Sequence, residues 1–456
     1  MSRLFFTASE LKAALPAFPE TLAGLLAAPI PSPEEAAEAL ASFAESVREE
    51  GQAALRALGF SEAAAAAQIG QAAALFSRET LTARIRRELP PAETPVYVTI
   101  DGRQTEDVSE AASVQPVARI LRRPLGVIFH IPAGNTEAVP FYAAAEGLIT
   151  GNISLVKLPE NGDMVTEFLA ERFAEAFPAL AGRMVFVRYS SRDEALTKSL
   201  CDLADAVSVW GGEEAVLGVR RLAGVGTRVI EWGPKISFAY VSGAVPEEEL
   251  RALAESIAGT EGLLCSSCQG IYCDTADFGE ACRFAGRFSA VLEEAYHRRL
   301  CGDGRAAAAR TLERRTQTLA RAFRGEKAAD SRTVVFENTY GTVTALPDAA
   351  CEMSLPYGNV WVRPLPQADI IRVLFPYKNR LQSAALLCPE AERERLADTL
   401  LRTGMVRVTD AAHLTETLPA MPHDGEWEWG RYVKRAEAVS QFPGGWSPQT
   451  RIRKDP

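Results

Sequence analysis

The sequence is poor in features that would place it in several large classes. It has four histidines in 456 residues, which leaves few nitrogen ligands for a metal. No run of about 18 apolar residues occurs, so nothing reads as a membrane-spanning helix. Positive charge is in deficit: 49 lysines and arginines stand against 59 aspartates and glutamates, a formal net charge of −10. That argues against a chain built for nucleic acid or a basic membrane-surface protein, while leaving room for a local basic patch on an anionic cofactor. The eight cysteines, at 201, 265, 268, 273, 282, 301, 351 and 388, are scattered through a long chain, so a disulfide framework is not expected. There is no G-x-G-x-x-G; Gly224-Val-Gly226 lacks the surrounding pattern. The start, Met1-Ser-Arg-Leu-Phe-Phe-Thr, meets Glu10 and Lys12 before a long apolar core develops, and the expected location is the cytoplasm.

What is present is ordinary in amount and informative in order. An apolar fraction of 47% and a charged fraction of 24% suit a globular chain long enough for two or three domains. Residues 8 to about 90 carry Ala, Leu and Glu at helical spacing, with Ser32-Pro-Glu-Glu35 as a cap with Pro at the first helical position and Ser61 opening another helix. They predict a helical layer packed on a later domain. Pro90-Pro91 ends it. Val96–Ile100, Asp101-Gly102 and Arg103-Gln-Thr then read as a hairpin.

From 122 to 235 short apolar runs alternate with helical stretches. Strands are expected at 126–130, 153–157, 184–188, 206–210 and 228–231, with helices at 138–149, 164–177, 193–202 and 213–222. This is the pattern of parallel strands in a doubly wound α/β sheet. Ligands of such sheets bind beyond the carboxyl ends of the strands. His130–Asn135, Lys157–Glu160, Gly211-Gly212 and Glu231 all fall there, which points to a nucleotide site. Gly211-Gly212 would let the backbone approach a pyrophosphate at a helix start, although Glu213-Glu214 would repel phosphates if turned inward. A second α/β unit begins at 236, with strands at 236–241, 270–273, 333–336, 359–364, 382–387 and 405–409. The tail from Trp427 alternates like a strand.

The chain is arranged around Glu261-Gly-Leu-Leu-Cys265-Ser-Ser-Cys268-Gln269-Gly270. Cys265 sits among small polar residues, after an apolar pair and before the strand-like run Ile271-Tyr-Cys-Asp. That leaves room for a substrate carbonyl and lets backbone N–H groups face a developing oxyanion. The thiol would need a positive environment or a helix terminus to become a thiolate. Cys268 competes for the role. The C-x-x-C also reads as a redox pair or half a zinc site, but only Cys273 lies near enough to add a ligand, and no metal is expected. Inert packing is the plain alternative for either cysteine.

Glu231-Trp-Gly-Pro-Lys235 puts a carboxylate before a turn, 265 − 231 = 34 residues upstream. His130-Ile-Pro-Ala-Gly-Asn135 ends an apolar strand with an amide, which reads as an oxyanion donor or as a turn residue. A thiol, a carboxylate and an amide donor are the parts that thioacyl chemistry needs.

The order of these pieces and the Glu-to-Cys spacing resemble the aldehyde dehydrogenase superfamily, and within it the LuxC-like acyl-CoA reductases. The phrases carrying the resemblance are Pro124-Leu-Gly-Val-Ile-Phe-His-Ile-Pro-Ala-Gly-Asn135, Gly151-Asn-Ile-Ser-Leu-Val-Lys157, Trp210-Gly-Gly212, Cys265-Ser-Ser-Cys-Gln269 and Pro422-His-Asp-Gly425. They span most of the chain from about residue 96. One phrase departs: where ordinary aldehyde dehydrogenases carry Glu-x-Phe-Gly-Pro near the nicotinamide, this chain reads Asn359-Val-Trp-Val-Arg-Pro364, as the LuxC-like branch also differs there.

The resemblance implies an aldehyde dehydrogenase-like α/β fold, with two doubly wound domains, a small oligomerisation flap and an N-terminal helical layer. The expected divisions are 1–95 for the helical part, 96–121 for the oligomerisation hairpin, 122–235 for the cofactor domain, 236–425 for the catalytic domain with Cys265, and 426–456 for a C-terminal oligomerisation strand. It implies Cys265 as nucleophile, Asn135 on the oxyanion and Glu231 at the superfamily's general-base position. It implies cofactor contacts at His130, Ile131, Pro132, Ala133, Lys157, Glu160, Gly211, Gly212 and Gly233. Lys157 favours NADPH, Glu160 opposes a phosphate, and NADH stays the alternative. The implied reaction reduces a fatty acyl-CoA or acyl-protein thioester to the aldehyde in a homo-oligomer, with an acyl-protein synthetase as a candidate partner. Competing readings are an oxidative aldehyde dehydrogenase, a cofactor-free acyltransferase or thioesterase, and a catalytically idle assembly protein.

Overall fold

Helix caps start the architecture where the sequence marks them. In the computed structural model, which describes residues 3–98, 104–105, 118–134, 137–300, 304–323, 332–416 and 421–439, Ser32 opens the helix Pro33–Ala57. Its hydroxyl accepts from the Glu35 N–H at 3.1 Å while Glu35 accepts from the Ser32 N–H at 2.8 Å. That reciprocal pair satisfies two donors the helix cannot. Ser61 caps Glu62–Leu75 and Ser77 caps Arg78–Glu88 by the hydroxyl alone, accepting from the N–H groups of Ala64 and Thr80. The apolar faces of these helices enter one core, where Leu40 and Phe43 meet Phe141 and Phe173. Ahead of the helical layer lies Phe5–Thr7 (β1), a strand the sequence reading did not anticipate, because three residues are too few to show alternation.

A small antiparallel sheet follows. Glu93–Val98 (β2) pairs with Gln104–Thr105 (β3) and with Ala118–Pro124 (β4). The expected Asp101-Gly102 turn lies outside the described residues. The fourth strand, Val433–Val439 (β17), comes from the far end of the chain and pairs antiparallel with β4. The tail differs from its strand-like reading just before this: Glu428–Arg431 forms a helical turn. Trp429 and Tyr432 are both fully buried. Side chains three apart share one side of a helical turn but point to opposite faces of a strand, so burying both selects the turn.

The main sheet of this half is parallel throughout. Val127–Ile131 (β5), Ile153–Leu158 (β6), Met184–Arg188 (β7), Ala206–Trp210 (β8) and Arg228–Trp232 (β9) lie in the order β1-β7-β6-β5-β8-β9. The chain builds outward from β5 through β6 to β7, then returns to place β8 on the other side of β5. Loops leaving the carboxyl ends of β5 and β8 therefore diverge, which opens a crevice at that switch point.

The other sheet gathers Ile236–Val241 (β10), Cys268–Cys273 (β11), Val334–Glu337 (β12), Thr342–Ala345 (β13), Asn359–Pro364 (β14), Leu381–Leu387 (β15) and Arg407–Thr409 (β16), in the order β12-β13-β14-β11-β10-β15-β16. It is parallel except for the β12–β13 pair. Helices Glu247–Thr260 and Phe278–Leu300 cover one face through Leu253, Ile257, Phe288 and Leu292. Contacts divide the chain into a unit of Met1–Trp232 with Pro419–Pro456, and a unit of Gly233–Leu418. The tail rejoins the first unit through β17.

Candidate active site

In the second unit, Cys265 lies on the loop between helix Glu247–Thr260 and β11. That helix ends on two left-handed residues, Glu261 (φ 53°) and Gly262 (φ 78°), which turn the chain back toward the sheet. Leu264 to Ser267 then close a turn. The Ser267 N–H donates to the Leu264 carbonyl at 3.0 Å, and the Leu264 N–H donates to the Ser267 hydroxyl at 2.9 Å. Cys265 sits at the corner of this clasp and is exposed. Its carbonyl accepts from Ser237 of β10 at 2.8 Å, and the Ser237 hydroxyl accepts from the Ser383 N–H of β15 at 3.1 Å. The Gln382 side-chain N–H points at the Cys265 sulfur, 3.3 Å away. A donor at that place favours the thiolate over the thiol.

Cys268 is in a different position. It opens β11, is 3% exposed, and its thiol donates to the Gly270 carbonyl at 3.2 Å. Burial pushes it up to about 12, so it stays protonated and inert. Of the two cysteines in the C-x-x-C, only the 265 thiol meets solvent. Among the described residues no group of three or more His, Cys, Asp or Glu could hold a metal.

The loop around the thiol is braced from several sides. Ser354 donates from its N–H to the Gln269 side-chain oxygen at 3.0 Å and from its hydroxyl to the Gln269 carbonyl at 2.6 Å. Arg310 is buried over the Tyr296 ring, 4.0 Å from its centroid, and donates to Glu261 at 2.9 Å. Gly270 is obligatory, because a Cβ there would run into the Trp361 indole. Leu263 and Leu264, next to the thiol, and Met353 are large apolar side chains left exposed.

In the first unit, the segment Pro132-Ala133-Gly134 leaves β5, and a Cβ placed on Gly134 would stand 3.8 Å from the Pro159 side chain on the loop after β6. The structure thus brings the 130–134 and 157–160 segments together. Asn135 lies outside the described residues. Beyond it, Ala138 takes a left-handed conformation (φ 67°) before helix Val139–Ile149. Its N–H donates to Asp163 at 3.1 Å, and Asp163 also accepts the N–H and the hydroxyl of Thr166, each at 2.8 Å. This buried carboxylate ties the loop after β5 to the helix after β6.

Lys157 is 9% exposed near the end of β6, its ammonium 5.1 Å from the centroid of the Tyr189 ring. Burial lowers its pKa, and the Glu160 carboxylate opposes the shift. Arg188, at the end of β7, donates to Glu167; its register partner is Leu158. Gly212 caps helix Glu213–Leu222, with no atom within 4 Å of where a Cβ would stand. The Gly211 N–H donates to the Trp232 carbonyl at 3.1 Å, which joins the ends of β8 and β9. Gly233 follows β9 and opens the second unit.

Two expected residues sit in unforeseen surroundings. His130 is fully buried, with both ring nitrogens lacking hydrogen-bond partners and its ring edge-on to Tyr432. Burial pushes its imidazole down to about 3, so it is neutral, and only its backbone faces the loop side. Glu231 is held by Arg220, whose Nε and Nη2 each donate to one carboxylate oxygen. Gln382, Asp163 and Arg220 were missed by sequence reading. Each touches its target through a neighbouring element rather than through a motif.

Comparison with known proteins follows the same lines. The sequence profile of one family, acyl-CoA reductase (LuxC), matches residues 34–435. A long-chain acyl-protein thioester reductase from Vibrio harveyi is 28% identical over 153 residues. That match takes in 33% of this chain and 32% of that protein, so the chain spans about a third of the length of this curated relative. Among solved structures, a salicylaldehyde dehydrogenase from Pseudomonas putida G7 complexed with salicylaldehyde superposes with a TM-score of 0.68 at 16% identity, covering 96% of this chain and 92% of that one. A glyceraldehyde-3-phosphate dehydrogenase from Methanocaldococcus jannaschii complexed with NADP gives 0.66 at 12% identity, covering 96% and 95%. The fold is that of the aldehyde dehydrogenases.

Proposed function

The chain belongs to the acyl-CoA reductase (LuxC) family, and on that premise we propose that it reduces a fatty acyl thioester, carried by coenzyme A or by a protein, to the aldehyde through a thioacyl intermediate on Cys265. The observation that carries this reading is the contrast between the two neighbouring thiols: Cys265 is exposed at the corner of a clasped turn with an amide N–H on its sulfur, and Cys268 is buried and protonated.

Cys265 attacks the thioester carbonyl, and the C–S bond to the carrier breaks. Gln382 stabilises the attacking thiolate, and the clasp through Leu264 and Ser267 fixes where the sulfur points. Asn135 and the Cys265 N–H take the oxyanion. A nicotinamide cofactor, when bound, supplies the hydride that releases the aldehyde.

The residues of the first unit fit such a group. The Lys157 ammonium rests on the Tyr189 ring and makes no ion pair within 4.0 Å among the described residues, so its N–H donors are available to a ribose hydroxyl or a 2′-phosphate. Gly212 leaves open space at a helix start. Lys157, with Arg188 beside its strand, favours NADPH over NADH; the backbone from His130 to Ala133, with Glu160, Gly211 and Gly233, completes the proposed contacts. The sheet of β17, β4, β2 and β3 is the proposed oligomerisation element, and an acyl-protein synthetase is the proposed donor partner.

The test is anaerobic incubation with NADPH and a panel of acyl-CoAs, with loss of reduced-nicotinamide absorbance followed and aldehyde trapped. Cys265→Ala should abolish aldehyde and Cys268→Ala should not. Hydrolysis of acyl-CoA with NADPH untouched would overturn the reductive reading.

A further inference from the structure

Within the first unit, the tail of the chain is seated on a cluster with more carboxylates than cations. Arg84, in helix Arg78–Glu88, faces three of them. Its Nε donates to Glu88, one turn on in the same helix, at 2.5 Å, and its Nη1 donates to Glu146 of helix Val139–Ile149 at 2.8 Å. Its Nη2 lies 3.7 Å from Glu428, which opens the helical turn Glu428–Arg431. Between 1% and 14% of each of these four side chains is exposed, so little water reaches the group. The Arg84 guanidinium also lies over the Trp429 ring, 4.0 Å from its centroid, and the Trp429 N–H donates to Glu88 at 3.1 Å.

One guanidinium balances one carboxylate. With all three ionised, the cluster would keep two unbalanced negative charges out of water, which is costly. The neighbouring arginines are turned elsewhere: Arg431 pairs with Glu426 at 3.0 Å and lies over the Trp232 ring, and Arg87 lies over the Trp427 ring. A proton fills the gap. Glu428 and Glu146 are hydrogen-bonded to each other through their side chains, and two carboxyl groups make such a bond only when one of them is protonated. Burial, with Glu146 beside it, raises the Glu428 pKa well above the usual carboxyl range, against the pull of Arg84. Tyr432 faces the same acids; its hydroxyl lies 3.3 Å from that of Ser208, and burial keeps it neutral.

What the cluster holds is a strand. Tyr432 follows the turn, and its carbonyl accepts from the Leu125 N–H at 3.2 Å and from the Asn152 amide at 3.0 Å. From Val433 onward β17 pairs with β4, starting at Pro124. We propose that Arg84, Glu146 and Glu428 form a proton-operated latch: with a proton shared between the two carboxyl groups the turn Glu428–Arg431 is seated and β17 stays in its sheet, and loss of that proton releases both. Below the carboxyl range of an unfolded chain, seated and released tails both carry the proton, and the latch contributes fully. As pH rises, the released tail ionises first because its carboxyl is the stronger acid. Seating therefore weakens until the raised pKa of the seated group is passed. The sheet is favoured on the acid side and opens on the alkaline side. Nothing in the latch depends on Cys265 or on a cofactor.

The experiment is backbone amide exchange on the full chain, read by mass spectrometry and corrected for the chemical exchange rate, with β17 and β4 compared against β5 and β6. Protection of β17 should fall about tenfold or more from about pH 5 to about pH 9 while β5 and β6 keep theirs, since each pKa unit gained on seating is a factor of ten. Glu428→Gln keeps a donor for Glu146 and needs no proton, so it should flatten the profile and leave β17 as protected at high pH as at low. Glu146→Gln should do the same from the other side, and it serves if Glu428→Gln does not fold. A flat wild-type profile overturns the proposal, as does a fall that persists in a folded glutamine variant. A fall shared equally by β5 and β6 overturns it too, because that reports opening of the whole unit.

Discussion

The candidate residues of the two units, each taken by itself, are held by different forces. Touching Cys265 and its turn, the links are neutral hydrogen bonds: a serine hydroxyl on a turn, a serine on a carbonyl, an amide on a sulfur, with the Arg310–Glu261 pair set further back at the start of the loop. In the first unit the links are charged: Asp163 under a loop, Lys157 over a ring, Arg220 on Glu231. Neutral bonds fix a nucleophile without adding a field that would bind the wrong ligand. Buried or clamped charges are costly to hold, and they suit the proposed contact with an anionic, hydroxyl-rich cofactor. Substitutions in the two units should therefore differ in kind as well as in size, with salt moving the first unit more than the second.

The largest effect should break the comparison at its centre. Cys265→Ala should lower thioester reduction by about a thousandfold or more, to background, because no second thiol can replace it. Cys268→Ala should keep acylation and lose only about 1 kcal/mol of stability, read from urea unfolding, because a buried thiol is filling space.

Next comes the buried carboxylate. Asp163→Ala leaves the N–H of Ala138 and the N–H and hydroxyl of Thr166 without their acceptor. Hydrogen bonds to a charged group are the strong ones, so the loss should be about 3 kcal/mol in urea unfolding. Because the loop so tied begins at Pro132 and carries Asn135, turnover should fall more than substrate affinity does. An Asp163→Ala protein with wild-type stability would show that the tie is ornamental.

Lys157 should give a smaller effect with a recognisable pH signature. Burial lowers its pKa, so its charge is lost as pH rises earlier than for an exposed lysine. Attraction for a cofactor phosphate is present below that lowered pKa and vanishes as pH rises through it. KM for NADPH should therefore climb with pH, and Lys157→Ala should raise it about tenfold at neutral pH with little change in kcat, leaving a flat alkaline profile. A wild-type KM that does not move with pH would detach Lys157 from the cofactor.

How much of this was legible follows from how each contact is made. Strands such as Val127–Ile131 and Ile153–Leu158 announce themselves, because parallel strands buried on both faces are short continuous apolar runs. β1 and Thr342–Ala345 do not, since three or four residues carry no period. Cys265 was legible because small neighbours, an apolar pair and a following strand are local features. What grips it was not. Ser237 reaches it because β10 lies beside β11, and Gln382 because β15 lies beside β10, and strand order in a parallel sheet leaves no mark in the sequence. Glu231 was legible as a carboxylate at a strand end, but not as half of an ion pair, since nothing in its neighbourhood names the helix face that meets it. His130 was placed correctly along the chain, and only burial shows that its ring turns inward.

The smallest predicted effect is the sharpest test of the neutral half. Gln382 is 117 residues from Cys265 and donates one N–H to its sulfur at 3.3 Å. A neutral amide bond of this kind contributes about 1 kcal/mol, so Gln382→Leu should slow acylation of Cys265 about fivefold below the thiol's pKa. The direction in pH is fixed by which form the bond favours. Removing a donor from the thiolate makes the thiol harder to ionise, so the pH–rate profile of acylation should move to higher pH, with the plateau rate approached once the thiol is fully ionised. Salt should not alter the shift, because no charge has been added or removed. A salt-sensitive change, or a fall in rate at every pH with the profile unmoved, would mean that Gln382 shapes the loop instead of tuning the sulfur, and the contrast between a neutral thiol side and a charged cofactor side would lose its clearest instance.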